Sequence, residues 1–162
     1  MDATRLHASC AVLNARAVLL RGPSGSGKSD ILLRLVAAAG AGLVADDQVL
    51  LARDGDALVA RAPDSLQGVM EARGVGLLRL PAAGPARVVL LADLTPRPRR
   101  QPDPAHETVL GCRLRRVEID PGAASAVAKL QLALGGRGAT ILPDDWHPAG
   151  PAGPDGDGED TC

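Results

Sequence analysis

The residues Gly22-Pro-Ser-Gly-Ser-Gly27-Lys28-Ser29 satisfy the spacing G-x-x-x-x-G-K-[ST] in full. Each type has a task in holding a phosphate chain. Glycines 22, 25 and 27 allow backbone conformations and close approach closed to residues with a Cβ, so successive N–H groups can converge on phosphate oxygens. Gly22, Pro23, Ser24, Gly25, Ser26 and Gly27 thus form the candidate nucleotide loop, and the helix expected after it adds the partial positive charge of its N-terminus. Lys28 would bridge the β- and γ-phosphates, and the Ser29 hydroxyl would hold Mg²⁺. Lysine is scarce: Lys28 and Lys129 are the only two in the chain, which otherwise carries its positive charge on arginine. A site that needs a compact, rotatable ammonium explains the exception.

Three further residue sets could complete phosphoryl transfer. Asp46 and Asp47 stand side by side, and adjacent strand residues point to opposite faces, so both reach one phosphate only if the chain turns there. One carboxylate can then serve the metal while the other orients and deprotonates an attacking hydroxyl. The competing reading is a solvated Asp-Asp turn. Glu71-Ala-Arg73-Gly-Val-Gly76 sets an acid and a guanidinium beside two glycines in an expected loop; Glu71 could be a metal ligand and Arg73 could neutralise charge on the transferred group. A surface ion pair is the alternative. His7 falls in the first strand, where a lone histidine is usually structural or solvated.

These residues need a strand, a loop and a helix in order. Arg5 to Val12 and Ala17 to Leu20 flank Asn14-Ala-Arg16 as an expected β-hairpin whose second strand enters the glycine loop. Ile31, Leu32, Leu35, Val36 and Ala39 recur at helical spacing over Lys28 to Ala39, with Gly40 as the stop. Leu43 to Ala45 is a short buried strand, and Val49–Arg53 pairs with Leu58–Arg61 across Asp54-Gly55. Pro63 to Met70 is read as a turn or short helix, Arg73 to Leu77 as a loop, and Arg87 to Ala92 as a strand. Thr95 to Pro104, with prolines at 96, 98, 102 and 104, is irregular. Val109 to Ile119 contains another strand. Asp120-Pro121 fits a helix cap followed by proline, and Gly135-Gly136 ends that helix. The architecture is α/β with a sheet that is partly antiparallel. Residues 1–149 form one domain, Gly150 to Cys162 a disordered acidic tail, and no internal repeat is present.

Composition narrows the function. The 162 residues carry a formal charge of -1 and 1% aromatic content, Trp146 being the single aromatic residue. The core must therefore be aliphatic, and base stacking, on which many nucleic-acid binders depend, has no material. No nucleic-acid partner is expected. Cys10, Cys112 and Cys162 show no metal-binding spacing and read as reduced thiols. Neither a signal peptide nor a run of ~20 apolar residues is evident, so a cytoplasmic protein without membrane contact is expected.

His7-Ala-Ser-Cys, the phosphate loop with Asp30, Leu43-Val-Ala-Asp-Asp47 and Glu71-Ala-Arg-Gly-Val-Gly76 together resemble the ordered motifs of the HPr kinase/phosphorylase catalytic domain, over His7 to about Leu134. The chain resembles the short form that begins at that domain. The resemblance implies a phosphoenolpyruvate-carboxykinase-like nucleotide fold, ATP and Mg²⁺ as cofactors, and phosphorylation of a serine on the carrier protein HPr, with phosphorolysis as the reverse. It implies His7 as an active-site histidine, Lys28 as the phosphate-binding lysine, Ser29 and Glu71 as Mg²⁺ ligands, Asp47 as base and acid with Asp46 beside it, and Arg73 in the signature loop. It also implies a later arginine, for which Arg97, Arg99 and Arg100 are candidates, and a hexamer. Ala72 replaces a branched apolar residue. Val117-Glu-Ile-Asp-Pro-Gly122 corresponds loosely to an arginine-bearing loop used in dephosphorylation, and lacks its arginines. Rival readings are a small-molecule P-loop kinase and a nucleotide-sensing module without catalysis.

Overall fold

Asn14 and Ala15 both adopt left-handed backbone, φ 49° and 61°, the requirement of a two-residue hairpin turn that matches strand twist. They join β2 (Ser9–Leu13) to β3 (Arg16–Arg21) in the register Leu13↔Arg16. The expected first strand is interrupted at Ala8: β1 (Thr4–His7) pairs with a different neighbour from β2. β3 runs into the glycine loop and α1 (Lys28–Ala38), which buries Ile31, Leu32 and Leu35, with Gly40 just beyond it at φ 73°. The computed structural model describes residues 2–143 and 145–148; the expected tail at 150–162 lies outside them.

After α1, β4 (Gly42–Ala45) passes over β3 to pair antiparallel with β2 at the sheet edge. β5 (Gln48–Asp54) and β6 (Ala57–Arg61) form the expected hairpin, though its turn residues are Gly55 and Asp56 rather than Asp54-Gly55. A single 3₁₀ turn at Asp64–Leu66 leads to β7 (Val69–Ala72) and β8 (Gly76–Arg79), which pair as a separate hairpin. The Glu-Ala-Arg-Gly segment is therefore not a loop throughout: Glu71 and Ala72 stand on a strand, Arg73, Gly74 and Val75 form the tip, and Gly76 opens β8. β9 (Ala86–Leu94) lies at the centre, parallel to β3 and to β11 (Cys112–Ile119) and antiparallel to β6. The strand expected within Val109–Ile119 is β11, and a further strand ahead of it, β10 (His106–Val109), pairs with it as a hairpin.

The second helix, α2, spans Ala126–Ala133, with Gly135 at φ 89° after it. It does not begin at Pro121 as the Asp-Pro signal suggests. Asp120 spends its side chain on the N–H of Gly122, 2.9 Å away, and two successive turns follow before the helix starts. A local Asx turn has outcompeted helix nucleation.

The result is a mixed nine-stranded sheet in the order β1-β5-β6-β9-β3-β2-β4, with β10-β11 joined to β9. Successive residues of β3 alternate between two cores: Val18 and Leu20 pack with α1, α2 and Met70, while Ala17 and Leu19 pack with Leu51, Leu58 and Leu114. Both cores are built of aliphatic and sulfur side chains, as the lack of aromatics demands. No helix among the described residues is long and apolar enough to cross a membrane.

Candidate functional site

The phosphate loop crosses from the end of β3 to the start of α1. Gly27, the cap residue, has φ 100° and no side-chain hydrogen bond to the helix terminus, so the first N–H groups of α1 keep donors for an anion. A Cβ at Gly27 would stand 2.9 Å from Cβ of Pro121. The Asp120–Gly122 turn is thus a wall of the loop, and the Arg34 guanidinium donates to the Pro121 carbonyl to hold it there. Lys28 is 6% exposed and its Nζ donates to the carbonyls of Gly22 and Pro23 at 2.6 and 3.0 Å.

Asp46 and Asp47 sit where two strand pairings part. His7 of β1 pairs with Gln48 of β5, and Cys10 of β2 pairs with Ala45 of β4. Both chains must cross from one ladder to the other in the two residues between. Asp47 does so at φ 65°, with the Gln48 N–H donating to the Asp46 carbonyl at 2.7 Å. This is a γ-turn of the strained, positive-φ kind, and it supplies the turn that adjacent carboxylates need to act at one place.

The two carboxylates have different surroundings. Asp46 Oδ1 accepts the hydroxyls of Ser29 at 2.9 Å and Ser9 at 3.1 Å, and Oδ2 accepts the Glu71 backbone N–H at 3.2 Å. Asp46 is thereby a tie between α1, β2 and β7. Asp47 projects into the open with its side chain 63% exposed and meets Nε2 of His7. Glu71 and Arg73 make no side-chain hydrogen bond or ion pair among the described residues.

A cleft of about 450 Å³ gathers these groups. His7, Lys28, Ser29, Asp47, Glu71 and Arg73 all line it, as do Ser24, Gly25 and Gly27 of the loop. Asp46 lies behind its wall, bonded to Ser29. Gly22, Pro23 and Ser26 do not line it; Gly22 and Pro23 hold Lys28, and the Ser26 hydroxyl is buried with no hydrogen-bond partner among the described residues. Among the described residues no group of three or more His, Cys, Asp or Glu side chains is arranged to hold a metal. A hydroxyl beside carboxylates nonetheless fits Mg²⁺, which takes one or two protein oxygens and completes its shell with waters and phosphate oxygens.

Of the later arginines none lines the cleft. Arg99 is committed to Glu118, with Nε and Nη2 donating to Oε1 at 3.0 and 2.6 Å. Arg97 and Arg100 make no side-chain hydrogen bond or ion pair among the described residues.

Two features were not read from the sequence. One is the contact made by Ser9, fully buried between the two aspartates; the sequence shows it as a polar residue of His7-Ala-Ser-Cys in an otherwise apolar strand, with nothing to name its partners. The other is an ionic chain along β3, β9, β10 and β11. Arg21, the last residue before Gly22, donates to Asp93 at 2.8 and 3.2 Å and to Glu107 at 2.8 and 2.7 Å. Arg116 joins Asp93, at 2.6 Å, to Glu118, at 3.3 Å, and Arg99 closes the chain. Hydrogen bonding to Arg99 holds the Glu118 carboxyl down at about 2, and Arg21 holds Glu107 below the usual carboxylate range. The Arg21 guanidinium is raised in turn, chiefly by Glu107. The free thiols Cys10 and Cys112 are buried, and burial pushes the Cys10 thiol up.

Comparison with known proteins agrees with this geometry. A Polaromonas naphthalenivorans protein named HPr kinase/phosphorylase is 33% identical over 144 residues, covering 80% of this chain and 45% of its own length. A Peptoclostridium acidaminophilum protein of the same name is 55% identical over 62 residues, covering 38% of this chain and 20% of its own. The chain thus spans under half the length of these relatives. The solved Hpr(Ser) kinase/phosphatase of Coxiella burnetii superposes with TM-score 0.65 at 21% identity, over 79% of this chain and 91% of that one. The fold is therefore the phosphoenolpyruvate-carboxykinase-like P-loop fold. The family described as HPr Serine kinase C-terminal domain matches residues 1–85, a stretch that holds every group lining the cleft, and the chain belongs to that family.

Proposed function

We propose that this chain is the catalytic domain, over residues 1–149, of an ATP-dependent serine protein kinase acting on HPr. The observation that carries the reading is one cleft in which a phosphate loop faces a histidine-paired carboxylate, a free carboxylate and a free guanidinium. The loop N–H groups and Lys28 bind the nucleotide phosphates. Asp47, oriented by His7, takes the proton of the serine hydroxyl as its oxygen bonds to the γ-phosphorus and the bond to ADP breaks. Arg73 offsets charge on the group in transit. Mg²⁺, held by Ser29 and Glu71, would screen the phosphates, and Asp46 keeps Ser29 aimed. Asp46 has its oxygens occupied by three donors and is not the base.

Cytoplasmic residence and a homo-hexamer go with this reading. A small-molecule kinase fits less well, because β4 pairs antiparallel with β2 instead of joining a wholly parallel sheet. A passive nucleotide sensor leaves the His7–Asp47 pair without a task. Incubation with Mg-ATP and HPr should yield phosphoserine on HPr; phosphate release to water alone sinks the proposal. Release of pyrophosphate from phosphorylated HPr with added phosphate tests the reverse reaction, which must proceed here with an Asp120–Gly122 turn that carries no arginine.

A further inference from the structure

The Ser9 side chain has no contact with solvent, yet its one hydroxyl meets both aspartates. It donates to Asp46 Oδ1 at 3.1 Å and accepts the Asp47 backbone N–H at 3.3 Å. A hydroxyl is the smallest side-chain group able to do both at once. The place matters as much as the bonds. Asp47 lies between the β1–β5 and β2–β4 ladders, in the strained γ-turn, and such a conformation persists only where its surroundings over-determine it.

We propose that Ser9 is a positioning residue that holds the Asp46–Asp47 turn, fixing Asp46 as the tie to Ser29 and aiming the Asp47 carboxylate into the cleft. An alanine there would free the Asp47 N–H and remove one of three donors from Asp46, while leaving the Lys28 bonds to Gly22 and Pro23 in place. The inference rests on the kinase reading for its kinetic readout alone.

The test compares Ser9→Ala with Ser9→Thr, which keeps the hydroxyl. Ser9→Ala should lose roughly ten- to hundred-fold in kcat for phosphoserine formation, the range for removing hydrogen bonds at a charged group. Its KM for ATP should move much less than kcat, since Asp46 keeps its bonds to the Ser29 hydroxyl and the Glu71 N–H. Amide hydrogen exchange at Asp47 should quicken roughly ten-fold, and Ser9→Thr should restore most of both. If Ser9→Ala does not fold, Ser9→Cys, of similar size and with a weakly bonding thiol, replaces it. Should the unaltered protein give no phosphoserine, the kinase reading falls, and Asp47 exchange alone still decides the role of Ser9. An unchanged Asp47 exchange rate, or an unchanged kcat in a folded variant of an active enzyme, overturns the proposal.

Discussion

The cleft and the ionic chain hold comparable sets of charged side chains and use them in opposite ways. In the chain, Arg21, Arg116 and Arg99 alternate with Glu107, Asp93 and Glu118, and each charge is matched by a neighbour. In the cleft, Glu71 and Arg73 make no side-chain partner among the described residues, and Asp47 meets only an exposed histidine. A matched charge has little left to offer a ligand, whereas an unmatched one at a cleft wall keeps its bonding capacity for substrate. Two carboxyls held below their usual range, Glu107 and Glu118, stand in the chain. Displaced ionisation is a common guide to active sites; here it points to the scaffold that anchors the stem of the phosphate loop through Arg21.

The largest test of that contrast is Asp47→Asn. It keeps the shape and removes the charge, so phosphoserine formation should fall roughly 10²–10⁴-fold. With the side chain 63% exposed, the thermal midpoint should hardly move. A clear loss of stability would show that Asp47 belongs to the framework.

Asp93→Asn should give the reverse signature. Asp93 is the shared acid between Arg21 and Arg116, and its side chain is 25% exposed. Removing its charge leaves two guanidiniums short of a partner, at a cost of about 2 kcal/mol in urea unfolding, below the cost in a fully buried network because water reaches the group. Transfer activity, measured where both proteins are folded, should change far less than in Asp47→Asn.

Acid should act on the chain in a direction fixed by its shifts. Glu118 sits at about 2 in the folded protein against an ordinary 4.5. Its pairing with Arg99 and Arg116 contributes fully above the ordinary value and is lost as pH falls through the folded one. The urea midpoint should therefore drop from about pH 5 down to about pH 2, and Glu118→Gln, with no charge to lose, should drop less. Equal drops would place the acid-sensitive contacts elsewhere, with Glu107 as the next group to replace.

How far the sequence disclosed these regions follows from the range of the interactions. The phosphate loop, the β2–β3 hairpin and α1 were legible because spacing and turn chemistry act over a few residues. Lys28, Ser29 and the loop glycines of the cleft were legible in the same way, whereas His7, Asp47, Glu71 and Arg73 each admit a plain structural reading and are joined into one site only by the order of the motifs. The break at Ala8 was not, because it follows from β1 and β2 choosing different partners some 40 residues away. Ser9 was invisible as a contact for the same reason. The β7–β8 hairpin is hidden locally because its glycine-bearing tip dominates the signal over Arg73 to Leu77, and α2 starts later than Asp120-Pro121 suggests because an Asx turn and a helix cap use the same residues. The ionic chain joins β3, β9, β10 and β11 and has no local signature at all.

The smallest expected effect concerns the hairpin that carries Glu71. In its register Met70 faces Leu78 and Glu71 faces Leu77. Met70 is 1% exposed and packs in the α1 core with Leu78 beside it, whereas Leu77 is 76% exposed on the side that Glu71 presents to the cleft. One face of the hairpin therefore fixes it to the protein, and the other is free to meet what enters. Leu77→Ser removes apolar area that water already reaches, so unfolding free energy should stay within about 0.5 kcal/mol of the original. A larger loss would mean that the cleft-side face of the hairpin is held by packing as the chain is held by charge, and the division between framework and working surface would run through β7 instead of along it.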